Sequence, residues 1–247
     1  MMVALTVLDI DVAWLVVCIA MMAVGATLQT TIGIGLGLVT APLLSLVDPS
    51  FVPGALVLST IPLTLGMAIR ERHAIHMRQI WWAIAGRVPG VILGSWVALI
   101  GGRSAVAIVV GVSVLIAVGA SLTKIRFHPS PHNLLAAGTV SGFSGTVSGI
   151  GGPPMALTYQ HADPATMRAN LAVFFVFGST LSVISLTVSG VMGTREWILG
   201  ATLMPGVVAG LVIGKTVTAR LPASVIRPLV LAVCSISAIV LILNTLV

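Results

Sequence analysis

The stretch GFSGTVSGIGGPPMALTY, Gly142 to Tyr159, most constrains how this chain can fold. Five glycines and two prolines interrupt an otherwise hydrophobic run. Glycine inside a helix costs roughly 1 kcal/mol and proline about 3, so the stretch cannot be one continuous helix. Its surroundings make the interruption consequential. The chain is 57% hydrophobic and only 7% charged, with a mean hydropathy of +1.15. Those charges are too few to coat a water-facing surface, and the composition specifies a polytopic membrane protein. Unwound backbone at membrane depth is tolerated only where it is buried in protein or lines a watery cavity. A helix restarting at Pro153 and Pro154 suits proline's preference for the first helical turn. N–H groups at such a start, aided by the helix dipole, suit an anion.

A second stretch, GATLQTTIGIGLGLVTAPLL from Gly25 to Leu44, matches the first at a shift of 116 residues. Thr30, Gly33, Ile34 and Gly35 fall on Thr146, Gly149, Ile150 and Gly151. The same shift superposes Trp81 on Trp197, Pro89-Gly90-Val91 on Pro205-Gly206-Val207, and Gly94 on Gly210. Asp48-Pro49 meets Asp163-Pro164 with a one-residue gap. A tryptophan, two Pro-Gly pairs and an Asp-Pro in one order indicate an internal duplication.

The expected fold is therefore an all-α polytopic membrane protein built as two inverted-topology repeats. Each repeat holds a broken helix or re-entrant hairpin plus three transmembrane helices, about eight helices in all, or ten with the hairpin arms counted separately. Residues 1–126 form the first repeat, with a broken helix at 12–47 and spans at 51–69, 79–100 and 104–123. Residues 127–247 form the second, with a broken helix at 133–160 and spans at 165–189, 196–218 and 224–246. Whether the hairpins cross fully or re-enter stays open. Arg70, Arg72 and Arg78, then Lys124 and Arg126, mark cytoplasmic loops, and Arg220 and Arg227 mark a third. Both termini then lie outside, opposite the cytoplasmic loops. The N-terminus carries Asp9 and Asp11 without a basic leader, so no cleaved signal peptide is expected. The net charge of +6 serves topology and does not indicate nucleic acid.

All six acids, Asp9, Asp11, Asp48, Glu71, Asp163 and Glu196, lie at termini or loops on this map. Transporters of cations and protons commonly use a buried carboxylate, and its absence counts against a cation substrate. Arg87 is the intramembrane charge, near the middle of its span. An ionised side chain there costs at least about 2.5 kcal/mol on insertion scales. It either meets an anion, bonds carbonyls freed by Pro89, or snorkels to the interface. Beside the glycines stand Gln29, Thr30 and Thr31 in one copy, and Ser144, Thr146 and Ser148 in the other. These groups can donate to anionic oxygens, or simply bond across helices. Asn170, early in its span, is a further candidate. Cys18 and Cys234 read as small buried hydrophobes. No spacing of His, Cys or acids suggests a metal, and no cofactor or ATP-binding motif is present.

The pattern GxxSGxxGxxSGIGGPP from Gly138 to Pro154, its weaker copy GATLQTTIGIGLG, and the Pro-Gly spans at 89–94 and 205–210 resemble the sulfite exporter TauE/SafE family. The likeness covers almost the whole chain. It implies a bacterial inner-membrane permease, not an enzyme, that moves sulfite, sulfonates or related small organosulfur anions outward. It also implies that Gly149, Gly151, Gly152, Pro153 and Pro154 form an anion-facing break, with Gly33 and Gly35 in the first copy. The departure is Leu36, where family members often carry a third glycine. The leading expectation is a secondary-active exporter of a small sulfur-containing anion working by alternating access, with the anion held at the midplane by two broken-helix ends. The partners are then that anion and the lipid bilayer; coupling to a proton or sodium gradient and oligomer formation stay open. So do an uptake carrier of a small carboxylate or other anion, an anion channel, and a scaffold that transports nothing.

Overall fold

A computed structural model describes residues 10–122, 128–159, 161–218, 235–236, 239–240 and 243, without the side chains at 103, 105, 117, 120–122 and 217–218. The span expected at 224–246 lies almost wholly outside these residues, as do Lys124, Arg126, Arg220, Arg227 and Cys234. The described chain is helical throughout, without strands. Its helices are α1 (Val12–Ile32), α2 (Leu36–Val47), α3 (Gly54–Arg70), α4 (Met77–Leu122), α5 (Pro131–Ser148), α6 (Gly152–Tyr159), α7 (Pro164–Val188), α8 (Thr194–Thr202) and α9 (Met204–Thr218). Four segments are long and apolar enough to cross a bilayer: Val12–Ile32, Met77–Gly102, Pro164–Val188 and Thr194–Thr216. Their flanks expose large hydrophobes such as Ile92, Trp96, Ile100, Ile184 and Val212, the surface expected of a protein whose solvent is lipid.

Both glycine stretches break, and both turn back. Helix α1 ends at Gly33 in the left-handed conformation (φ 95°), and Gly35 (φ 141°) precedes α2. These positive φ values are the conformations glycine reaches without a Cβ penalty. Gly25 lies against Thr40 and Leu36, so α1 and α2 run antiparallel. In the second copy Gly149 (φ 72°) ends α5, and Ser141 Oγ donates to the Gly151 carbonyl at 2.6 Å. The outer ends meet as well, with the His128 and His161 rings 6.3 Å apart. Helix α6, with 8 residues, is only about 12 Å long at 1.5 Å per residue, far short of the roughly 30 Å hydrocarbon core. Helix α2, with 12 residues, is also too short, so each glycine stretch is a hairpin with one arm too short to cross.

Each hairpin packs on the Pro-Gly helix of the other half of the chain. Gly86 and Gly90 of α4 press on the Leu135 and Thr139 carbonyls, while Gly138 and Gly142 of α5 press on those of Ala83 and Arg87. Across the molecule, Gly206, Gly210 and Gly214 of α9 meet α1 at Ile19, Ala23 and Thr30. Small residues let membrane helices approach closely, because van der Waals packing replaces the hydrophobic drive that lipid removes.

Helices α3 and α7 also pack antiparallel, tied at both ends. At one end Glu71 accepts from Arg168 at 3.0 Å and from Arg70 at 3.1 Å. At the other, Asp48 meets Arg195 at 2.6 Å. Burial pushes the Asp48 carboxyl up, but the hydrogen bonds from Ser50 and the Arg195 guanidinium outweigh it and hold the group below its usual range. The pair is therefore ionised at neutral pH.

One segment differs in detail from the sequence-based expectation. The span expected at 196–218 is interrupted by a turn at Leu203 between α8 and α9. Pro205 has no N–H for the Ala201 carbonyl, and its ring crowds that turn; Gly206 and Val207 instead donate to the Leu203 carbonyl. Pro89, its counterpart, stays inside continuous helix, and α4 breaks at Gly102 (φ 61°), between the spans expected at 79–100 and 104–123.

Candidate functional site

The hairpin tips meet at the centre. A Cβ on Gly37 would overlap the Gly149 carbonyl, and one on Gly152 would crowd Ile34 at 3.0 Å. Between the tips lies a small cavity of about 30 Å³. Its wall takes Gln29, Gly35 and Gly37 from the first hairpin, Gly149 to Pro153 from the second, and Thr60, Arg87 and Ser179 from the surrounding helices.

Arg87 is 2% exposed, which rules out snorkelling. Its Nη1 donates to Ser141 Oγ at 3.2 Å, and Ser141 in turn holds the Gly151 carbonyl, coupling the guanidinium to the break. Its Cζ stands 4.8 Å over the Phe174 ring and 5.9 Å from that of Phe175. Its Nε has no hydrogen-bond partner among the described residues. The side chain runs through a slot kept open by missing Cβ atoms. A methyl on Gly178 would overlap the guanidinium, and Cβ positions at Gly142 and Gly145 lie 3.1 Å and 3.3 Å from Arg87 Cγ and Nη2. A desolvated cation–π contact is worth about 2 kcal/mol, whereas desolvating an ion costs several. The aromatic rings therefore compensate the charge only in part.

No acid reaches Arg87 among the described residues. Asp11 caps α1 through the Ala13 N–H, Asp163 caps α7 through Ala165 and Thr166, and Glu196 accepts from the Gly193 N–H. Asp48 and Glu71 are in the ion pairs at the ends of α3 and α7. A guanidinium remains protonated in proteins, so the centre carries net positive charge. The helix starts add partial positive charge, with a chemical restriction at α6. Pro153 and Pro154 have no N–H, so fewer amides are on offer than a start of that shape ordinarily provides. In the first hairpin Gln29 Oε1 accepts from the Leu36 N–H at 3.1 Å, leaving the Gln29 NH₂ to donate elsewhere.

The sequence-derived candidates separate into two groups. Gln29, Gly35, Arg87, Gly149, Gly151, Gly152 and Pro153 line the cavity. Thr30, Thr31, Gly33, Ser144, Thr146, Ser148, Pro154 and Asn170 do not. Thr31, Ser144 and Ser148 bond carbonyls one turn back, at Thr27, Val140 and Ser144. Thr146 pairs with Ser182, and Asn170 Oδ1 accepts from the His76 N–H at 2.8 Å. Thr30 is fully buried, its carbonyl accepting from Arg70. Gly33 packs on Arg168, and Pro154 lines a separate apolar groove beside Ser144. Sequence reasoning missed Ser141, Phe174, Phe175, Gly178, Thr60 and Ser179. Ser141 stands within the quoted glycine motif, one turn before Ser144 and Gly145; the others carry no local signal.

The slot makes a sharp expectation. Gly178→Val displaces the guanidinium from the cavity and reduces anion binding as severely as removing Arg87 itself. Equilibrium binding to the purified variant checks this, and wild-type affinity would show that the slot does not position Arg87.

Two glycine-broken hairpins thus meet around Arg87, a buried cation with no acid partner among the described residues, within an apolar helical fold of the polytopic membrane-protein class. The family model for the sulfite exporter TauE/SafE matches residues 17–241, and the chain belongs to that family of membrane transporters. Neither a curated protein nor a solved structure matches it.

Proposed function

We propose that this protein exports a small sulfur-containing anion, sulfite or an organosulfonate, by secondary-active alternating access across the bacterial inner membrane. The observation that carries the reading is Arg87, 2% exposed and without an acid partner among the described residues, at the wall of a cavity between two helix breaks. A buried charge without a counter-ion is costly, and an anionic substrate would supply the missing one. Arg87 then binds the anion directly, Gln29 donates its NH₂, and Gly35, Gly149, Gly151, Gly152 and Pro153 give the close approach of backbone. Thr30, Thr31, Gly33, Ser144, Thr146, Ser148, Pro154 and Asn170 shape the hairpins and their supports.

Size points the same way. A water centre needs roughly 10–15 Å³, so about 30 Å³ suits a compact oxyanion head and no long chain. Residues 1–126 and 127–247 act as two inverted repeats that rock against each other. The ion pairs Glu71–Arg168 and Asp48–Arg195 would break and re-form at opposite mouths. The loop holding Arg70, Arg72 and Arg78 faces the cytoplasm, and both termini face the periplasm.

A thermal-shift series on the purified protein with sulfite, thiosulfate, methanesulfonate and acetate tests the substrate class. Binding to the folded state alone stabilises by mass action, about 2.7 kcal/mol at a hundredfold excess over Kd. A melting point that rises with a sulfur oxyanion and not with acetate supports the assignment. A rise with acetate alone would transfer it to carboxylates.

A further inference from the structure

We infer that transport is an exchange of one singly charged anion for another, because the site occludes empty only with an uncompensated charge inside it. The inference rests on the anion-site reading above and concerns how the carrier resets. Closing both mouths around an empty cavity leaves the guanidinium of Arg87 with Ser141, two aromatic faces and an Nε unpartnered among the described residues. Each acid among the described residues is committed elsewhere, at a helix cap or an end pair. Asp9, the only other acid in the sequence, lies outside them. Among the described residues no carboxylate is therefore placed to swing in as a surrogate, as one could in a carrier with an acid beside its cation.

The loaded cavity differs in kind. A monoanion neutralises the one formal charge, and the closed state becomes passable. A dianion leaves an excess negative charge in the same low-dielectric space and loses that advantage. The carrier thus crosses readily when loaded and slowly when empty, which is the condition for obligatory exchange. The preferred cargo is a singly charged oxyanion, the protonated form of sulfite or a sulfonate. Electroneutral exchange of this kind requires neither a proton nor a sodium site in the protein.

The test uses the full-length protein in liposomes loaded with radiolabelled sulfite, with the voltage clamped by potassium and an ionophore. Efflux into medium containing unlabelled sulfite should exceed efflux into sulfite-free medium at least tenfold and should not change with the clamped voltage. Equal rates in the two media, with sulfite binding still dependent on Arg87, would overturn the exchange inference and leave the site standing. Arg87→Leu and Arg87→Gln proteins that bind sulfite like wild type would remove the site itself, and the inference with it. Absence of sulfite flux by the wild-type protein would have the same consequence. Ser141→Asp offers an independent arm, since it places a carboxylate where Oγ now meets the guanidinium. Zero-trans sulfite efflux by this variant should approach its exchange rate, at reduced affinity. A tenfold preference for exchange persisting there would contradict the charge argument.

Discussion

Arg87→Leu is expected to weaken anion binding at least about 100-fold, equivalent to roughly 2.7 kcal/mol, while the protein stays folded. Loss of one partner from a desolvated charge pair commonly costs 3–5 kcal/mol, so the estimate is conservative. Stability should move the other way. In the unliganded protein the substitution removes a 2% exposed cation whose Nε has no hydrogen-bond partner among the described residues, and apolar replacements of buried ions are often neutral or stabilising. The two readouts together are diagnostic. An arginine that merely props the hairpins apart would lower the melting point when removed, whereas one awaiting a ligand would not. Equilibrium binding and thermal unfolding of the same preparation measure both. A variant that unfolds early but binds normally would assign Arg87 to structure.

Gly90→Val should be the most damaging substitution away from the cavity. A Cβ at Gly90 overlaps the Thr139 carbonyl and crowds the Phe143 nitrogen at 2.8 Å, and backbone cannot rotate aside as a side chain can. The α4–α5 seam must open, and with it the contact that presents Arg87 to Ser141. Overpacking costs up to about 3 kcal/mol; at 2–4 °C per kcal/mol for a chain of this size, the melting point falls by roughly 6–12 °C. Gly119→Ala is the control. No atom lies within 4 Å of its Cβ position, and alanine is the better helix former by about 1 kcal/mol. Equal effects from the two changes would refute the close-packed seam.

The sequence exposes some of this arrangement and conceals the rest for identifiable reasons. The breaks at Gly33–Gly35 and Gly149–Gly152 are legible because glycine and proline act locally, on the backbone that carries them. That one arm of each hairpin is too short to cross follows from length, once α2 and α6 are known to end at Val47 and Tyr159. That no acid among the described residues pairs with Arg87 is nearly a matter of counting six carboxylates. Nothing local shows that Gly178 of α7 and Gly142 of α5 make the slot for an arginine on α4, because that slot exists only after three helices pack. The exchange of hairpins between the halves, α1 onto α9 and α5 onto α4, is hidden for the same reason, although the matched Pro-Gly pairs mark both surfaces. Hydroxyls misled in a characteristic way. Ser144, Ser148 and Thr31 look like ligand donors in the sequence, but in a helix their nearest acceptor is the carbonyl one turn back, and each takes it.

The central claim is that an oxyanion sits between the two hairpin tips against Arg87. Selenite, a heavier analogue of sulfite, reports its own position by anomalous scattering in crystals of the protein. The account requires a selenium peak within hydrogen-bonding reach of the Arg87 guanidinium, between Gly37 and the Gly149–Gly152 turn, that disappears in Arg87→Leu. A peak elsewhere in the fold, or one at the tips that survives that substitution, would contradict it.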